Sequence, residues 1–154
     1  VIFRKTIRGI RMTLSIARVT QVIGVNSMLD DGRHILMWDF DEVSLGHVKD
    51  ALRIVQTRYF LSDIHIFKTS EPDNYIAYCF TAVDWRRAVE IVAVTYYVDW
   101  QFLRFGVYRG HFTLRVSPKT LEEPKPVFRI EGMTLSDVKP EELKSWVRYQ
   151  TLRR

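Results

Sequence analysis

The sequence predicts an α+β domain built around a split βαβ sheet. HILMWDF, residues 34–40, is a nearly continuous apolar run of strand length, as suits a strand covered on both faces. It leads into SLGHVKDALRIVQTRYF, where Leu45, Val48, Leu52, Val55 and Tyr59 recur at steps of three and four, the spacing of one helix face. Two strand-length runs follow, DIHIFKTS and YIAYCFTA, separated only by EPDN. So short a link joins antiparallel neighbours, because a parallel pair needs a crossover of a dozen residues or more.

The remaining elements extend this frame. Residues 1–29 alternate apolar and polar side chains in places and read as strand or mixed structure, with Asp30-Asp31-Gly32 as a turn signal. The basic residues at the start, Arg4, Lys5, Arg8 and Arg11, fit a solvated strand face. Ser44 is placed to N-cap the first helix, whose first turn Gly46 weakens. DWRRAVEIVAVTYYV reads as a second helix capped by Asp84, with Trp85, Ala88, Val89, Val92 and Tyr96 on one face. WQFLRFGVYRGHFTLRVS is expected to form two strands about a turn at Arg109-Gly110, and TLEEPKP a linker. DVKPEELKSWVRYQTL is expected to form a terminal helix with Pro140 in its first turn.

The element order is therefore β-α-β-β-α-β, with an extra strand and a C-terminal helix. That is the pattern of ferredoxin-like and RNA-recognition-motif-like folds, with helices on one sheet face and the other face open. A single domain over residues 1–154 is expected, with its core at about 33–119 and the linker and helix at 120–154. The first residue is not Met and the last two are Arg153 and Arg154, which fits a piece of a longer protein.

A content of 47% hydrophobic and 13% aromatic residues excludes a disordered chain and supports a sizeable core. The net charge of +5 favours an anionic partner such as nucleic acid or nucleotide. Cys79 is the only cysteine, so neither an internal disulfide nor a cysteine zinc cluster is available. It lies in an apolar run and reads as a packed core thiol. Neither a membrane-length apolar stretch nor a signal peptide is evident, so an intracellular place is expected, in the cytoplasm, nucleoid or nucleus. His34, His47, His65 and His111 lack H-x-H or H-E-x-x-H spacing, and there is no G-x-S-x-G elbow.

The chemistry concentrates in WDFD, residues 38–41. On a strand, residues two apart share a face at roughly 6.5 Å, so Asp39 and Asp41 point one way while Trp38 and Phe40 point into the helical layer. Paired carboxylates repel and call for a proton or a cation. Magnesium or manganese suits them, since hard cations take carboxylate oxygens and leave positions for phosphate. A third carboxylate would complete a two-metal site, with ions about 3.5–4 Å apart. The same pair also fits two solvated aspartates at a strand end, one of them capping the next helix.

The acidic pair and the element order together resemble the archaeo-eukaryotic primase and primase-polymerase family. ILMWDFD matches the family's apolar strand ending in two aspartates, and Asp99 in YYVDW matches its third acidic residue. FTLRVSPK, residues 112–119, matches its arginine followed by a Ser-x-Lys-like element, giving Arg115, Ser117 and Lys119. The resemblance implies that Asp39, Asp41 and Asp99 bind Mg2+ or Mn2+ and are catalytic in nucleotidyl transfer. It further implies a nucleotide-binding set of Lys68, Ser70, Arg109, His111, Arg115 and Lys119. Its partners are a DNA or RNA template and nucleoside triphosphates, with room for a flanking helicase or accessory domain, in DNA replication or repair. The family's histidine on the hairpin between the helices has no counterpart, because Tyr75 or Ile76 stands there.

Two other readings accompany this one. A non-catalytic module of the same fold would stack bases on sheet aromatics, with Tyr75, Tyr78, Phe112, Tyr108 and Phe102 as candidates. ILMWDFDEV is also similar to the signature of haloacid-dehalogenase-like phosphatases, with Asp39 as nucleophile and Asp41 as acid/base. That fold needs a parallel, doubly wound sheet, which the hairpin at 62–82 argues against.

Overall fold

The computed structural model describes residues 2–7, 10–15, 19–70, 72–117, 123–139, 143 and 146–152. In chain order, β1 (Ile2–Ile7), β2 (Ile10–Ser15) and β3 (Val19–Asn26) precede β4 (His34–Phe40) and α1 (Leu45–Tyr59). Next come β5 (Ile64–Ser70), β6 (Asn74–Val83), α2 (Trp85–Ala93) and α3 (Trp100–Arg109). The described residues close with β7 (Thr113–Arg115), β8 (Lys125–Ile130) and β9 (Trp146–Leu152). The class is α+β, and every strand pairing among the described residues is antiparallel.

The main sheet has the order β4-β6-β5-β8. The hairpin partner β6 lies between β4 and β5, so these two run in the same direction with α1 crossing between them. A three-stranded sheet in the order β7-β3-β9 and a two-stranded β1-β2 hairpin complete the architecture. The β3–β4 link turns at Gly32, whose φ of 82° favours glycine, and closes with the Leu29 amide donating to the Arg33 carbonyl at 2.8 Å. Antiparallel pairing of β4 with β6 is at odds with the sheet a dehalogenase-like phosphatase requires.

Both expected helix caps are present: the Ser44 hydroxyl accepts the His47 amide and the Asp84 carboxylate accepts the Arg87 amide. Val48, Leu52 and Val55 of α1 and Ala88, Ile91 and Val92 of α2 are buried with Leu36, Trp38 and Phe40 of β4. The Trp38 indole keeps its buried N–H satisfied by donating to Thr95 Oγ1 at 2.9 Å, and that hydroxyl donates to the Ile91 carbonyl. Cys79 is a buried free thiol.

The structure corrects five expectations. The second helix stops at Ala93, and the chain turns through Tyr97 at φ 66°. Residues 100–109 form α3 rather than a strand, because Asp99 caps their first turn and Phe102, Leu103 and Gly106 share one packed face. Residues 125–130, placed partly in the linker, form β8 on the edge of the main sheet, where Pro126 is tolerated. Residues 146–152 form β9 against β3 instead of continuing a terminal helix; Pro140 lies outside the described residues. The sheet face away from the helices is not open either, since Ile76, Tyr78 and Phe80 on it are buried. Among the described residues no helix is long and apolar enough to cross a membrane.

Edge strand β8 is tied down by Asp63, whose carboxylate accepts the Gly132 amide at 2.8 Å and pairs with Arg129. The Gly132 amide, with help from Arg129, holds the Asp63 carboxyl below the usual carboxylate range. A folded-state pKa below the unfolded one contributes stability above the ordinary value of 3.8, and this is lost as pH falls through the lowered value. Asp63→Asn should therefore cost about 1 kcal/mol at pH 7. The gap from the unsubstituted protein should narrow in acid, as read by denaturant unfolding across pH.

Candidate active site

The end of β4 sets the site. Trp38 and Phe40 are fully buried against the helical layer, so alternation turns Asp39, half-buried, and Asp41, exposed, to the other face. Asp99 joins them from the turn before α3. Its amide donates to the Asp39 carbonyl at 2.8 Å, which fixes the start of α3 beside the strand end. Its carboxylate also caps α3, accepting the Gln101 amide at 3.2 Å and the Phe102 amide at 2.7 Å. One carboxylate oxygen from each of Asp39, Asp41 and Asp99 lies within 4.8 Å of the others.

Backbone strain flanks this cluster. Glu42, directly after Asp41, and Tyr97, two residues before Asp99, are non-glycine residues at φ 58° and 66°. The Glu42 amide is secured by donating to Asn74 Oδ1 at 3.1 Å, and Asn74 Nδ2 donates in turn to the Ser70 hydroxyl.

Asp39 and Asp41 form one side of a cleft of about 570 Å³. Arg109, His111 and Arg115 line it as well, and the β5–β6 hairpin adds Thr69, Ser70 and Asn74. The Arg115 guanidinium is oriented by donating from Nε to the Ser117 carbonyl at 3.1 Å and to its hydroxyl at 3.2 Å. That hydroxyl accepts the Ile23 amide, so the arginine is braced on β3. A side recess of about 230 Å³ shares Asp39, Arg109 and His111 and extends to Asp99. Carboxylates and guanidinium groups thus face a common space. Oxygen-only donors suit a hard divalent cation, and arginines suit phosphate oxygens.

Helix α3 carries Asp99 at its start and Arg109 at its end, and its seat is tight. A Cβ on Gly106 would lie 2.3 Å from Phe112 Cδ1, while the Phe102 ring stacks on Phe112 at 5.1 Å.

Not every anticipated residue reaches the cleft. Lys68 lies in register with Tyr75 and Lys125 and alternates to the face opposite Phe67, away from the aspartates. Lys119 lies outside the described residues. At the place of the missing hairpin histidine, Tyr75 turns to the helix side, where its hydroxyl donates to Asp73. Ile76, opposite Asp39, presents an apolar side chain to the cleft instead. Among the aromatic candidates, Phe112 is core, Phe102 is half-buried against it, and Tyr108 is 88% exposed on α3 rather than on a strand. Asn74 and Thr113 also line the cleft, and sequence reasoning passed over both. Asn74 sits in a P-D-N turn, where asparagine signals only turn formation.

Comparisons with protein-family models, with curated proteins and with solved structures found no match to this chain.

Gly106→Ala should destabilise the protein by about 1–3 kcal/mol, because the added methyl must displace Phe112 or α3. Val107→Ala on the exposed side of the same helix should stay within about 0.5 kcal/mol. Thermal unfolding of the two variants checks both.

Proposed function

We propose that the chain is a primase-polymerase-like, metal-dependent nucleotidyltransferase of DNA replication or repair, on a ferredoxin-like, RNA-recognition-motif-like core. One observation carries this reading: Asp39 and Asp41 at the end of β4 meet Asp99 from the start of α3, beside a cleft that Arg109, His111 and Arg115 line with the first two and a recess where Arg109 and His111 also meet Asp99. Like charges so close are costly alone and become favourable around a cation. The three carboxylates offer the oxygen donors that Mg2+ or Mn2+ prefers. A divalent ion held there supplies Lewis-acid activation of an attacking hydroxyl and neutralises charge on a pyrophosphate leaving group.

The chain's own residues do the positioning. Arg115, braced by Ser117, presents a planar guanidinium suited to two phosphate oxygens at once. Arg109 at the end of α3 adds a second cation. Thr69, Ser70 and Asn74 offer neutral hydrogen bonds on the hairpin, where the resembled family uses a histidine. Template DNA or RNA and nucleoside triphosphates are the partners this arrangement suits.

A non-catalytic, single-stranded nucleic-acid-binding module is the second reading. It draws support from Trp100, Phe105 and Tyr108, all exposed on α3 together with Arg104 and Arg109. Steep salt dependence without divalent-ion dependence would mark it.

The double substitution Asp39→Asn with Asp41→Asn should abolish Mn2+-dependent nucleotide incorporation on a primed template. It should also weaken Mn2+ binding by more than the roughly 10–100-fold typical of losing an outer-shell partner. Unchanged incorporation in a folded double variant would sink the proposal. Arg115→Ala should weaken binding of a nucleoside triphosphate roughly 10–100-fold, with Arg115→Lys recovering only part, as measured by calorimetry.

A further inference from the structure

A second cleft, of about 420 Å³, adjoins the acidic one on the same face of the main sheet. Ile76 and Pro124 line both. Its other walls are mainly apolar: Phe67, Tyr78 and Phe80 from the main sheet, with Val25, Val116 and Leu143 from outside it. Among the described residues no Lys or Arg lines it, and Glu123 is its one acidic neighbour.

The Tyr78 hydroxyl is the informative group. Tyr78 is only 8% exposed, and its buried Oη has no hydrogen-bond partner among the described residues. Native proteins leave few such groups unsatisfied, because a buried polar atom forfeits its bonds to water. Burial, reinforced by the charge of Asp39, raises the phenol's pKa, so it stays a neutral donor. Burial likewise lowers the pKa of His65 on the same wall, leaving a neutral imidazole able to donate and accept. Aromatic and aliphatic walls with neutral hydrogen-bonding groups are complementary to a flat, uncharged ring with a polar edge.

The distance to the acidic cleft is also informative. Asp39 lies opposite Ile76, and Tyr78 is two residues further along β6 on the same face, roughly 6.6 Å away. A ribose links phosphate to base over a comparable span. We infer that the second cleft is the nucleobase subsite for a nucleotide whose phosphates lie among Arg109, Arg115 and the aspartates, with Tyr78 hydrogen-bonding the base edge. This inference rests on the nucleotidyltransferase reading.

The test compares calorimetric binding of ATP, CTP and inorganic tripolyphosphate to the full chain with Mn2+. The unsubstituted protein should bind the nucleoside triphosphates at least tenfold more tightly than tripolyphosphate. Tyr78→Phe should cut that preference about fivefold or more, leaving tripolyphosphate affinity unchanged and the melting temperature no lower, since the lost hydroxyl bonds none of the described residues. Val116→Phe, which fills the cleft from its other side, should reduce the preference in the same way. Equal affinity for nucleotide and tripolyphosphate, or an unaltered preference in both variants, overturns the base subsite while the phosphate site stands. If neither ligand binds with Mn2+, the nucleotidyltransferase reading itself fails, and the subsite with it.

Discussion

The geometry of the site depends on one backbone hydrogen bond, from the Asp99 amide to the Asp39 carbonyl. It is the point where the chain, having left the sheet through α2, returns to the end of β4. The left-handed turn at Tyr97 aims the chain at that carbonyl. Once the bond is made, the Asp99 side chain is placed both to start α3 and to stand beside Asp39 and Asp41. A single residue therefore links the main sheet, the third helix and the acidic cluster. Its backbone and side-chain bonds all use groups that a helix start would otherwise leave unsatisfied.

The charges of the cleft make sense only as a set. Carboxylates brought this close repel, and the helix N-terminus at Asp99 offsets that for one of them alone. Arg109 and Arg115 compensate from the other walls without closing the space, because Arg115 is held back on Ser117 and β3. An open volume bounded by both signs of charge admits a ligand that is itself mixed, such as a polyphosphate accompanied by a divalent ion.

Much of this was legible in the sequence, and the parts that were not have physical causes. WDFD, the caps Ser44 and Asp84, and the hairpin at EPDN are local signals, and each corresponds to a local structure. Helix α3 was hidden because WQFLRFGVYR is rich in aromatics that also favour strands, and because Asp99 drew attention as an acidic ligand rather than as a cap. Strand β9 follows a Glu-Glu-Leu-Lys stretch that suggests helix, while its partner β3 lies near the other end of the chain. No local pattern reports such a pairing. The same holds for the contacts that seat Ser117, the brace of Arg115, on Ile23 and Gly106 on Phe112.

Helix α3 is also a ruler. At 1.5 Å per residue, its ten residues set the backbones of Asp99 and Arg109 about 15 Å apart along the axis. Gly106, pressed on Phe112, sets its rotation. Removing one residue from the middle would turn everything beyond by about 100° and swing Arg109 off the cleft, although every side chain of the site would still be present. Side-chain chemistry in α3 has latitude on the solvent side, whereas its length has none. Insertions and deletions in this segment are thus a sharper probe of the site than most single substitutions there.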